Sequence, residues 1–96
     1  MAATQYWGTA RWGTTQSVGY SATASTVSNG ASAGTYKVRI ICTTAAFVRV
    51  GDNPAATASD VYMAAGIPEY VTITPGQKVS AVQVASAGTI YVTECA

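Results

Sequence analysis

The sequence contains no histidine. That absence removes the commonest general base and the commonest protein metal ligand. Charge is scarce too: Asp, Glu, Lys and Arg make up 9% of 96 residues and sum to a net +1. A nucleic-acid binder concentrates basic residues in a stripe, whereas Arg11, Lys37, Arg39, Arg49 and Lys78 are scattered along the chain. Nucleic acid is therefore not an expected partner. There are two cysteines, Cys42 and Cys95, whose separation fits no zinc motif. With no histidine to activate it, neither thiol is a candidate nucleophile. They are expected to be reduced thiols near strand ends, with a disulfide open to them only if their strands are neighbours.

Long apolar runs are also missing. No segment is long and apolar enough to span a bilayer as a helix, and no membrane partner is expected. Met1 to Trp7 lacks the basic stretch and apolar core of a secretory signal. The expectation is a protein made and kept in a cytoplasm unless something carries it out later. No phosphate-binding glycine motif is present, so no cofactor is expected. The carboxylates are Asp52, Asp60, Glu69 and Glu94. Asp52 and Asp60 share a loop, but that loop lacks the pattern of a calcium-binding EF-hand. It reads instead as turn chemistry, with Asp52 and Asn53 bonding to their own backbone. No catalytic residues, no metal site and no enzymatic activity are expected.

What the sequence does have is strand pattern. Hydrophobic residues make up 49% of the chain, too many for a disordered protein. In Thr35–Cys42, Tyr36, Val38, Ile40 and Cys42 alternate with Lys37, Arg39 and Ile41, the period of a half-buried strand. Further strands are expected at Ala46–Val50, Val61–Met63, Glu69–Ile73, Lys78–Val84 and Thr89–Thr93, all rich in β-branched and aromatic residues. Thr74-Pro75-Gly76-Gln77 fits a type II turn, with proline presetting one φ and glycine accepting the next. Ala87-Gly88 reads as a tight hairpin between the last two strands. Ala31–Thr35 recurs as Ala85–Thr89 (Ala-Ser-Ala-Gly-Thr), which reads either as two similar lead-ins to a strand or as chance in so biased a composition. No stretch has a capped helical period; Ala22–Ala33 is alanine-rich, but its hydroxyl residues and Gly30 oppose a helix. The fold class expected is all-β: a small β-sandwich, jelly-roll-like or Greek-key.

The chain is expected to divide near Gly34. Residues 1–34 would form an extended Ser/Thr/Ala/Gly-rich N-terminal arm, with room for one strand of its own, and residues 35–96 the sandwich body. The arm holds the candidate partner-binding residues Tyr6, Trp7, Arg11, Trp12 and Tyr20. Tryptophan and tyrosine serve as interface anchors. Three readings of Trp7 and Trp12 stay open: docking to a partner protein, packing onto the chain's own body, or stacking on sugar rings.

Three pieces of the body together resemble a known family. One is Val38–Thr44 followed by Phe47–Gly51. The second is Asn53–Asp60 followed by Tyr62-Met63. The third is Pro68–Val79, closed by Gly88–Glu94. In order and spacing they resemble small virion proteins of tailed bacteriophages, similar to capsid decoration or cement proteins. The resemblance covers residues 35–96 and rests on turns and strands. It implies a β-sandwich, arranged as a homotrimer, with the major capsid protein or other virion subunits as partners and the virion as its location after assembly in the host cytoplasm. The same resemblance leaves room for a head–tail connector, a tail module or a fibre-associated module. From another class altogether, a carbohydrate-binding β module would use Trp7 and Trp12 as stacking platforms.

Overall fold

The computed structural model describes residues 11–95. They form two four-stranded antiparallel sheets packed face to face, with no helix among the described residues. The strands are β1 (Trp12–Tyr20), β2 (Ser25–Thr26), β3 (Lys37–Cys42), β4 (Ala46–Gly51), β5 (Val61–Met63), β6 (Glu69–Thr72), β7 (Lys78–Gln83) and β8 (Gly88–Cys95). The first sheet runs β1-β8-β3-β6 and the second β2-β7-β4-β5. The pairings nest: β1 with β8, β2 with β7, β3 with β6, and β4 with β5. A long hairpin wrapped once around a barrel-like core gives this order, which is the eight-stranded jelly roll.

All six strands expected from alternation are present, within two residues at their ends. Val38, Ile40 and Cys42 point inward from β3 and are buried. They meet Ile90 and Val92 of β8 on one side, and Ala46, Val48, Val79 and Ala81 of the second sheet close the core opposite. Tyr36 shares their parity but precedes the strand and is exposed.

The division at Gly34 does not separate an arm from a body among the described residues. β1 pairs along β8 from Thr15 to Tyr20 as an edge strand of the first sheet. Val27 and Ala31 are core residues, held by backbone bonds from Val27 N–H to Val79 O (3.0 Å) and Ala31 N–H to Gln77 O (2.8 Å). The segment reads as polar because β1 buries only its core-facing side and only toward its end, where Tyr20 is buried.

Of the two expected turns, one is present and one is not. Thr74–Gln77 is the type II turn: Gly76 has φ 91°, and Gln77 N–H donates to Thr74 O at 3.0 Å. Ala87-Gly88 is no hairpin, because β7 and β8 lie in different sheets. The chain crosses between the layers there, and Gly88 opens β8. A side chain on Gly88 would collide with the hydroxyls of Thr44 and Tyr20. Those groups form a polar knot at one end of the sandwich. The Tyr20 hydroxyl donates to Thr44 O (2.6 Å) and accepts from Thr44 N–H (3.2 Å). Thr44 Oγ1 donates to Ser86 O (3.0 Å), and Thr89 N–H donates to Thr43 Oγ1 (2.9 Å). The two Ala-Ser-Ala-Gly-Thr copies are therefore not conformational repeats, since Gly34 has φ 83° and Gly88 is extended strand.

Candidate functional site

The outer face of the first sheet is the most distinctive surface of the described residues. Alternation in β3 sends Lys37 and Arg39 outward, opposite its buried residues. Register sets Arg39 beside Tyr70 of β6 and beside Thr93 of β8, and Ile41 beside Tyr91. β1 adds Trp12 to this face, because an irregularity between Trp12 and Thr15 brings Trp12 opposite Cys95. Such a bulge re-aims a side chain. The Arg39 guanidinium lies 5.6 Å from the centre of the Trp12 ring, within cation–π range. Trp12 Nε1–H donates to the Tyr70 hydroxyl at 3.4 Å. The result is a Trp12–Arg39–Tyr70 cluster spanning the sheet, with Tyr91 on the same face.

This cluster is open to solvent: Trp12 is 64% exposed, and Tyr70 and Tyr91 are 41% each. Trp, Tyr and Arg are the residue types that dominate interface energetics. The face has one sign of charge. Glu94 shares neither the face nor its cations; its carboxylate accepts from Ser32 N–H (3.0 Å), Ser32 Oγ (2.8 Å) and Thr35 Oγ1 (3.3 Å), tying down the lead-in to β3. Asp60 is engaged in the β4–β5 loop, where it accepts from Thr57 N–H at 2.7 Å and lies 4.0 Å from Arg49. The turn chemistry expected of Asp52 and Asn53 thus belongs to Asp60 and Thr57.

The candidate residues divide. Trp12 is on the face. Arg11 is exposed and lines a shallow cleft beside Trp12, together with Gly34, Thr35, Glu94 and Cys95. Tyr20 is a correction: it is 2% exposed and serves the core and the polar knot, so it has no surface to offer a partner. Tyr6 and Trp7 lie outside the described residues. Arg39, Tyr70 and Tyr91 were missing from the sequence-based set. Alternation already placed Arg39 and Tyr70 opposite buried residues, but only the order β8-β3-β6 brings them to one place.

Both cysteines are free and buried. β3 and β8 are neighbours, but Cys42 stands opposite Ile90 while Cys95 stands opposite Lys37. The separation from position 90 to 95 is about 17 Å at about 3.4 Å per residue, far beyond disulfide reach. Burial pushes both thiols above the ordinary value of 9.0; a hydrogen bond to Tyr20 opposes the rise at Cys42, and at Cys95 the opposition comes from Arg39 and Lys37. Protonated, enclosed thiols are poor nucleophiles.

A second opening lies on the side of the sandwich between β5 and β6. This cleft of about 370 Å³ is lined by Ile40, Val48, Val61, Met63 and Val71, with Arg49, Asp60 and Glu69 at its rim. It is a gap between two short edge strands, and three of its apolar walls, Ile40, Val48 and Met63, belong to the core.

No family model matches the chain, and neither a curated protein nor a solved structure does. The class is therefore defined by the fold and the face alone: a small jelly-roll sandwich that presents an aromatic, cationic sheet surface.

Proposed function

We propose that this chain is a structural protein of a tailed-bacteriophage particle, a decoration or cement protein that docks on the head shell. The observation that carries the reading is the exposed Trp12–Arg39–Tyr70 cluster on an otherwise uncommitted sheet face. The resemblance over residues 35–96 supplies the biological setting, and a jelly roll is a common architecture of virion proteins. The scarcity of charge fits a protein that spends its time docked, because a free monomer depends on surface charge to stay apart from its copies. In this reading the role is non-catalytic: the protein binds the assembled shell and stabilises it by mass action.

The test is quantitative mass spectrometry of purified particles. A ratio to the major capsid protein between one to one and one to a few supports the shell. A few copies per hundred capsid subunits would move the protein to the connector, tail or fibre. Absence from the particle would overturn the virion reading.

One observation favours a second reading, carbohydrate binding. Arg39 covers one face of the Trp12 ring, and the ring is otherwise exposed beside a cleft bordered by Thr35 and Glu94. That leaves an aromatic surface on which a sugar can stack. Glycan-array binding that is lost in Trp12→Ala would support it over the virion reading.

A further inference from the structure

The four sheet edges of this sandwich are unequal. β2 has two residues, β5 three and β6 four, while β1 has nine. Short edges are one of the ways in which folded proteins avoid pairing with their copies. Apart from the bulge between Trp12 and Thr15 at its start, β1 shows none of the other usual protections among the described residues. Trp12-Gly13-Thr14-Thr15-Gln16-Ser17-Val18-Gly19-Tyr20 contains no charged residue and no proline. Gly13, Thr14, Thr15, Ser17 and Gly19 are exposed. Gln16 is tied on the core side, where its side chain bonds both backbone groups of Asn29 (2.7 and 3.2 Å). That contact braces the strand from within and leaves its outer edge in place. Backbone pairing of β1 among the described residues is with β8, and none of the other described strands pairs with its outer side.

The strand also reads alike in both directions. Around Gln16 stand two hydroxyl residues, Thr15 and Ser17, then two β-branched residues, Thr14 and Val18, then two glycines, Gly13 and Gly19. Two copies placed antiparallel about Gln16 set Thr15 against Ser17 and Thr14 against Val18. Like meets like in size, and no charge is opposed. A twofold contact requires this kind of self-complementarity.

We propose that β1 is a dimerisation edge: two copies of this chain pair β1 against β1 about a twofold axis at Gln16, joining their first sheets into one continuous eight-stranded sheet. The axis is perpendicular to the sheet, so both Trp12–Arg39–Tyr70 clusters fall on the same side and the candidate docking face doubles in width. The pairing depends on neither the virion nor the sugar reading. It replaces the threefold arrangement implied by the resemblance with a twofold one.

The experiment is light-scattering mass measurement across a dilution series of the purified chain, with two double variants. Thr15→Lys with Ser17→Lys sets lysine against lysine at both Thr15–Ser17 contacts. Thr15→Glu with Ser17→Lys sets glutamate against lysine at the same two places. Circular dichroism confirms that each variant is folded. The expected result is a mass twice the 9.8 kDa of one chain for the parent, one chain for the double lysine variant, and recovery of the dimer in the glutamate–lysine variant. Recovery is the readout that a general loss of stability cannot imitate. A parent that stays monomeric at every concentration, or a mass of three chains, would overturn the proposal. So would a double lysine variant that stays dimeric, or a glutamate–lysine variant that stays monomeric while folded.

Discussion

Replacing Tyr20 by phenylalanine removes one oxygen from the interior and leaves the ring in place. The ring is buried in the core, so its apolar contribution is unchanged. The loss falls on Thr44, whose carbonyl accepts from that hydroxyl at 2.6 Å and whose N–H donates to it at 3.2 Å. Stranding buried backbone groups costs about 1–3 kcal/mol. Thr44 is half-buried, so water restores part of the bonding and the range narrows to about 1–2 kcal/mol. For a domain of this size each kcal/mol moves the melting temperature by about 4–8 °C, which gives a fall of roughly 4–16 °C. Tyr91→Phe is the matched control, since its ring is 41% exposed on the outer face, and a surface change of this kind stays within about 0.5 kcal/mol. Thermal melts followed by circular dichroism compare the two. If Tyr20→Phe melts no lower than Tyr91→Phe, the polar knot is not what pins this end of the sandwich.

Other expectations follow from burial and backbone. Ile40 is fully buried at the centre of the first sheet, so Ile40→Ala should lose about 2–5 kcal/mol in urea titration, enough to unfold much of a small domain at 37 °C. Gly76→Ala forces a side chain into the φ 91° conformation of the type II turn and should cost about 1–2 kcal/mol by the same titration. Both thiols are held above 9.0 by burial, so the unfolded chain gives up these protons at lower pH than the folded one. Stability should therefore fall as pH rises through the ordinary thiol value, and this slope should flatten when both cysteines are replaced by alanine. In native protein both thiols should react slowly with a thiol reagent and should react at once in denaturant. Trp12→Ala should leave the melting temperature nearly unchanged while abolishing attachment to particles, if the outer face is the docking surface.

Much of the fold is legible in the alternation of residues 35–96. β3 announces itself because Val38 and Ile40 face a core while Lys37 and Arg39 face water, and no other local structure separates them so cleanly. β1 is hard to read for the opposite reason. It is an edge strand with solvent on most of its surface, so Thr14, Thr15, Gln16 and Ser17 show little of the contrast that reveals a strand. The crossing at Gly88 is misread because a short Gly-containing link looks the same whether it joins neighbours in one sheet or carries the chain to the other layer. The exposed cluster on the outer face is legible only in part. Trp12 stood out as an aromatic in a polar segment, but its partners are 27 and 58 positions away, and nothing local in the sequence joins Trp12 to Arg39 or Tyr70.

The nested pairing also sets a timetable for folding. Of the eight strands described, β8 is synthesised last, yet it lies between β1 and β3 in the finished sheet. Until β8 emerges from the ribosome, β1 lacks its partner and β3 can pair only with β6. The first sheet therefore closes late, through contacts between strands far apart in the sequence, and topologies of this kind fold slowly. A chain stalled before Gly88 would expose β1 and β3 as unmatched edges, and species with such edges aggregate. For this fold, synthesis through β8 is as much a guard against aggregation as any residue on its surface.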